Sequence, residues 1–545
     1  MTGSRSLRVR GPRAALLAVA LSAALTGLAA SPATAFAAPA GAAEIDIKYD
    51  EFTLPNGLRV IVHTDRKAPI VAVNLWYHVG SKNEQPGRTG FAHLFEHLMF
   101  QGSENHGAEY FAPFELVGVT DQNGTTNQDR TNYFQNVPST ALDMALWMES
   151  DRMGHLLGAI NQKSLDEQRG VVQNEKRQGE NQPYGRRINA KIFEALYPAG
   201  HPYNWQVIGS MADLDAATLD DVKTWFKSWY GPNNAVLVLA GDIDLKTARQ
   251  KVTAYFGDIP ASATLADMPT NIPKRDKDTR ETVPDRVPQT RVYRAWPVAE
   301  IGTRDAVLLD LFSQVLGGSA ASRFDMRLVH GDKIADNAAA YTWSSELAGT
   351  FFLMATAKDG VDAARIEKAL DEELQRLLTD GPTAEELERA KVATRAGFVR
   401  GIERIGGFGG KSDVLAQCVV FTGKPDCYKT DLADIDAATP ASVQAAAQRW
   451  LGVGSHTLVV QPSETPASAL PETVQAAPAS APAPLPAADP KFKTVETDVD
   501  RSAGVPKTTS FPALKFPALE RATLSNGMQV VLAERHETPV VQMSV

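Results

Sequence analysis

Apolar positions recur along this chain with two different periods. Short alternating or continuously apolar runs bounded by turn residues read as β-strands: LRVIVH (58–63), IVAVNLWYHV (70–79), AVLVLAG (235–241), TFFLMATA (350–357) and HTLVVQ (456–461). Segments of helical period lie between them, one of which, GFAHLFEHLMF (90–100), is apolar nearly all round and is expected to be buried. Strands alternating with helices predict an α+β fold of mixed sheets covered by helices.

The pattern repeats. ADLDAATLDDV (212–222) returns as ADIDAATPASV (433–443), an offset that also places Trp229 on Trp450 and Leu237-Val238 on Leu458-Val459. Two tandem homologous α/β sandwich domains follow, over 45–262 and 280–462. Beyond Gln461 the composition turns to Pro and Ala, so 463–518 reads as an extended linker. TLPNGLRVIVHTDRKAPIV (53–71) then echoes as TLSNGMQVVLAERHETPVV (523–541), so 519–545 reads as the start of a third homologous domain. The expectation is a first half, with the C-terminal half missing in cis.

Charge and composition narrow the class. Hydrophobic residues make up 43% and charged residues 22%, with a net charge of −9 and no basic stripe, which argues against nucleic acid as a partner. Arg5, Arg8, Arg10 and Arg13 precede an apolar run from Ala14 to Ala30 and Ala-x-Ala sites, which is the pattern of a secretory signal over 1–38. Its removal would bring the charge to −13 and leave no membrane-spanning segment. The expected location is periplasmic or extracellular. In an exported chain the two cysteines, Cys418 and Cys427, most simply form a local disulfide.

On the buried helix His93 and His97 are one turn apart, with Glu96 flanking their face. Unpaired buried polar groups are costly. A divalent metal held by both imidazoles, with the carboxylate beside it as a base, accounts for all three; satisfied core histidines are the alternative. The pattern is the inverted zinc-peptidase motif H-x-x-E-H. Such a site needs a third protein ligand and an open position. In SLDEQRGVVQNEKRQGENQPYG (164–185), Ser164 and Glu167 are expected to form a capping box, Glu175 to share the inward face with Val171 and Val172, and Glu180 to lie past the helix end. Glu175 is therefore the candidate ligand. The second domain has only His330 and His456, neither in a zinc motif.

The run Gly90 to His97, with Phe100, Gly102 and Arg169-x-Val171-x-x-x-Glu175, resembles the pitrilysin/insulinase family of zinc peptidases. The resemblance implies a clamshell of four homologous domains, with one Zn2+ per catalytic domain bound by His93, His97 and Glu175, and Glu96 activating water. It implies a zinc-dependent endopeptidase acting on peptides or small unfolded proteins in an enclosed chamber, with one active and one degenerate domain among the two read here. A non-catalytic binding or scaffolding subunit is the alternative. Where many members carry a further glutamate this chain has Gln168, beside Glu167. NGTTNQDRTNYF (123–134) resembles the family strand that pairs with substrate, making Asn123 and Gly124 candidate substrate-binding positions; an ordinary Asn-Gly hairpin turn fits equally. GGFGG (406–410) reads as a flexible connection. His63, His78, His106, His155 and His201 lack ligand spacing and read as structural.

Overall fold

Alternation along the strands, period two, decides which core each side chain enters. In the first sheet the strands are β1 (Asp50–Thr53), β2 (Arg59–Thr64), β3 (Ile70–Tyr77), β4 (Thr120–Thr126), β5 (Thr131–Pro138) and β6 (Ala235–Gly241). Their order is β1-β2-β6-β3-β5-β4, and only β2 and β6 run parallel. The second sheet is built from β7 (Thr279–Asp285), β8 (Arg291–Val298), β9 (Ala335–Trp343), β10 (Gly349–Ala357) and β11 (His456–Pro462), in the order β7-β11-β8-β10-β9. The computed structural model describes residues 45–263, 267–464, 490–513, 517–534, 536 and 539–545. The signal segment and most of the Pro/Ala tract lie outside the described residues. Among the described residues no helix is long and apolar enough to cross a membrane.

The sequence repeat is a repeat of structure. Helix Leu219–Trp229 leads into β6, and helix Pro440–Trp450 leads into β11 with the same spacing. Each helix starts at a threonine cap: Thr218 accepts from the Asp221 amide and Thr439 from the Ser442 amide.

One face of the first sheet packs on its own helices. Val71, Val73, Leu75 and Tyr77 of β3, Leu237 and Leu239 of β6, and Val60 and Val62 of β2 all join that core. The other face, with Ile61, Trp76, Val236 and Val238, packs instead with the second domain's core, including Leu415, Ala416 and Val419 of helix Lys411–Thr422. The arrangement is reciprocal. Helix Arg186–Leu196 of the first domain lays Ile188, Ile192 and Leu196 on Tyr293, Ala295, Leu458 and Val460 of the second sheet. Each helix precedes the aspartate-rich turn of its own copy, so equivalent helices are exchanged between the domains. A polar seam reinforces the contact. Buried Lys82 pairs with Glu346, and Asp129 accepts from the Glu346 amide (3.0 Å) and the Tyr203 hydroxyl.

Three expectations change. GGFGG is no loose connection: a Cβ on Gly406 would collide with Asn136 and Ala72, and Phe408 packs edge-on against Phe134 at 4.9 Å. The loop is docked because it delivers helix Lys411–Thr422 onto the first sheet. The stretch assigned to a linker is partly tied down. Lys493 and Val495 donate backbone bonds to Pro55 and Gly257, and Arg501 pairs with fully buried Asp151 at 3.1 Å. Phe492, Val495, Val499 and Arg501, which the Pro/Ala composition masked, make these contacts with the first domain. The third echo does form its hairpin, β12 (Leu519–Thr523) with β13 (Gln529–Ala533), closed by the same two turn bonds as β1 with β2. A further strand, which the echo of β3 by this stretch predicts, does not form among residues 539–545.

Cys418 and Cys427 are bonded, tying the exchanged helix Lys411–Thr422 to the next one.

Because each sheet is sealed by the other domain, the two should unfold together. Ile192→Ala, removing a fully buried side chain at the exchange, should cost about 2–5 kcal/mol. Urea unfolding followed by fluorescence and circular dichroism should stay a single coincident transition. Two separable transitions, with the second domain unaffected, would contradict the exchange.

Candidate metal centre

The helix Phe91–Leu98 starts at Gly90 without a side-chain cap of its own. Buried Glu84 supplies one from a distance: its carboxylate accepts the amides of Gly90 (3.0 Å) and Ala92 (2.9 Å). Burial drives the Glu84 carboxyl well above the usual carboxylate range, and those two amides pull the other way. Asp213 accepts the Thr89 amide at 2.9 Å and the Thr89 hydroxyl at 2.6 Å. The last residues before His93 are thus held by hydrogen bonds to two acids, which take up N–H groups left free at the helix start.

The third group comes from the long helix Gln162–Asn181. Its buried face is Leu165, Gln168, Val172 and Lys176. Glu175 sits at the edge of that face, half-buried, while Val171, one position further round, is 47% exposed. The helix boundary differs from expectation. It begins at Asn161, which forms the capping box with Ser164, because the helix starts a turn earlier than the Ser164–Glu167 pairing implies. Glu167 instead faces solvent near Lys163 (3.8 Å), so it supplies no carboxylate at the site. Glu180 is inside the helix, paired with Lys176 at 2.7 Å.

The structure brings His93, His97 and Glu175 together. Glu175 Oε2 lies 3.5 Å from His93 Nε2 and 3.4 Å from His97 Nε2, and one donor atom from each residue falls within 4.8 Å of the others. Zinc bonds of ~2.0–2.1 Å at tetrahedral angles put ligand atoms ~3.3–3.4 Å apart. The two edges at Glu175 fit that ion. Burial, then the neighbouring His97, lowers the His93 pKa to about 4, so at neutral pH its imidazole is in the uncharged form a metal takes. The hydrogen bond with His97 holds the Glu175 carboxyl down at about 2, against its partial burial and with help from Arg186. Arg186 takes the other oxygen, Oε1, at 2.6 Å, leaving Oε2 to the histidines.

Glu96 stands outside this set. It is buried, and its Oε2 accepts the Thr126 hydroxyl at 2.6 Å; burial raises its carboxyl pKa. Asn123 and Gly124 lie inside β4, an edge strand, and not in a hairpin turn; the turn is closed further on by the Asn127 amide on the Arg130 carbonyl. Gly124 faces the ring of Phe100, which a Cβ would meet at 2.6 Å. His63, His78 and His201 bond elsewhere, to Lys48, Glu346 and Asn271.

Beside the metal group opens a cavity of about 280 Å3 lined by His93, Arg186, Phe193, Trp205 and, from the second sheet, Trp343. Sequence reasoning missed Glu84, Arg186, Trp205 and Trp343. Arg186 had one available signal, eleven residues past Glu175; Trp343 had none, since only the domain exchange places it there, whereas Trp205 is held within the first domain, its indole donating to the Ser81 carbonyl at 3.0 Å.

Residues 59–201 match the family model described as insulinase (peptidase family M16), and 216–393 match the one described as the peptidase M16 inactive domain. The chain belongs to the insulinase family of peptidases. Among its insulinase-family relatives, zinc protease PqqE of Helicobacter pylori is 29% identical over 364 residues, which is 65% of this chain and 80% of PqqE. A protease from H. pylori of known structure superposes with a TM-score of 0.70 at 25% identity, over 76% of this chain and all of that one. The periplasmic protease PqqL from Escherichia coli shares the fold, with a TM-score of 0.64 at 21% identity; the match covers 91% of this chain and 56% of PqqL.

Glu175→Ala should abolish stoichiometric zinc binding, Arg186→Ala should weaken it by about 10–100-fold, and Glu167→Ala should leave it unchanged. Zinc competition titrations with a chelating dye measure all three. Retained zinc in Glu175→Ala, with loss in Glu167→Ala or Glu180→Ala, would overturn the ligand assignment.

Proposed function

We propose that the protein is an exported zinc-dependent endopeptidase that hydrolyses peptides or small unfolded proteins. The observation that supports it most is the convergence of His93, His97 and Glu175, with a buried carboxylate, Glu96, beside them but outside the ligand set. Zinc bound there would supply a Lewis acid that polarises the scissile carbonyl and acidifies the attacking water. Glu96 takes the proton of that water and passes it to the leaving amine. Arg186 keeps Glu175 turned toward the histidines.

The cavity lining supports a substrate class. Phe193, Trp205 and Trp343 line it, and its one strong charge, Arg186, is already engaged by Glu175. It takes a bulky apolar side chain next to the scissile bond. The free edge of β4 offers backbone groups for an extended peptide, through which sequence-independent holding is achieved. The chain spans 56% of PqqL, and its hairpin β12–β13 repeats β1–β2. Both support a second half that closes over the cleft and excludes water.

A non-catalytic subunit is the competing reading, and the base separates the two. Glu96→Gln should keep full zinc while losing roughly three or more orders of magnitude in turnover of a quenched peptide library. Absence of turnover in zinc-loaded wild-type protein, alone and with a second half supplied, would favour the binding role. For the cavity, Trp343→Ala should lower kcat/KM for peptides with a large apolar residue at the cleavage site by about tenfold, sparing those with small residues. Equal loss for both peptide classes would remove the second domain from substrate selection.

A further inference from the structure

Glu96 has a flexible side chain, yet as a base it must aim one oxygen at the attacking water. The structure shows what turns it. Thr126 Oγ1 lies 2.6 Å from Glu96 Oε2, and 3.3 Å from Thr131 Oγ1. The Thr131 hydroxyl donates to the Val79 carbonyl at 2.9 Å, so its only hydrogen is committed. The Thr126 hydrogen therefore goes to Glu96. Among the described residues Oε1 of Glu96 accepts no hydrogen bond, and that oxygen is left for the proton transfer.

Thr126 is held independently of Glu96. Its backbone is in register with Thr131 on β5. Two residues earlier on the same face, Gly124 lets Phe100 close against the strand. One residue earlier, Arg130 Nη1 donates to the Thr125 carbonyl at 2.9 Å, and its guanidinium stacks on Trp76 at 5.0 Å. The strand is fixed, and the glutamate follows it.

We propose that Thr126 is a positioning residue for the hydrolysis: its hydroxyl pins Oε2 of Glu96 so that Oε1 faces the attacking water. This rests on the peptidase reading above. Its consequence is that β4, whose outer edge is free to pair with a peptide, also sets the aim of the base. A substrate in register with the strand is thereby in register with the proton acceptor.

The test uses the full chain loaded with zinc. Thr126→Val keeps the shape and removes the donor; Thr126→Ser keeps the donor. Thr126→Val should bind zinc and unfold as wild type does, hold KM within about twofold, and lose about 10–100-fold in kcat. Thr126→Ser should recover kcat to within about threefold of wild type. Wild-type kcat in Thr126→Val would overturn the proposal, as would a Thr126→Ser variant as slow as Thr126→Val. Should Thr126→Val fail to fold, full activity in Thr126→Ser is still required and its absence overturns the idea. Glu96→Gln in parallel separates the layers: if it remains fully active the peptidase reading itself fails, whereas an inactive Glu96→Gln beside an unimpaired Thr126→Val rejects only the role of Thr126.

Discussion

Each sheet of this protein has two apolar faces and only one set of helices of its own. That constraint governs the architecture. A sheet of Val, Ile, Leu and Trp on both faces cannot leave one face in water, because burial of apolar surface is the main favourable term in folding. The solution is exchange. Helix Lys411–Thr422 seals the first sheet through Leu415 and Val419, and helix Arg186–Leu196 seals the second through Ile188 and Ile192. Neither domain is complete without the other.

The candidate metal centre depends on this exchange as well as on its own motif. The helix that seals the second sheet begins at Arg186, whose guanidinium turns Glu175 toward the histidines. The same contact carries β9 alongside it, so Trp343 of the zinc-motif-free domain reaches a cavity beside His93. The seam of Lys82, Asp129, Tyr203 and Glu346 fixes the loop that follows Trp343. A domain without metal ligands thus has a physical reason to be retained.

Much of this was legible in the sequence. The tandem repeat appears as two copies of one helix–strand unit because its caps and apolar positions are local properties, printed in Thr218 and Thr439 and in the strands they feed. His93, His97 and Glu96 were legible because three polar groups on an apolar helix demand an explanation. Glu175 was reached with an imperfect argument: Val171 points outward, and Glu175 reaches the two histidines from the rim of the buried face. The Ser164–Glu167 box failed because Asn161 competes for the same Ser164 and starts the helix earlier. The exchange, the Glu84 clamp and the docking of GGFGG were not legible, since each is a contact between residues far apart in sequence. Composition also concealed that 490–505 returns to the first domain, with Arg501 reaching the buried Asp151.

The proposed peptidase chemistry requires that three side chains, from two helices, converge on one zinc ion while Glu96 stays outside its coordination. Anomalous diffraction at the zinc edge, from crystals of the zinc-loaded chain, tests it most directly. One peak per chain is expected, within about 2.0–2.2 Å of His93 Nε2, His97 Nε2 and a Glu175 oxygen, with Glu96 beyond bonding distance. A peak coordinated by Glu96, a peak lacking Glu175, or no peak at this site under saturating zinc would contradict it.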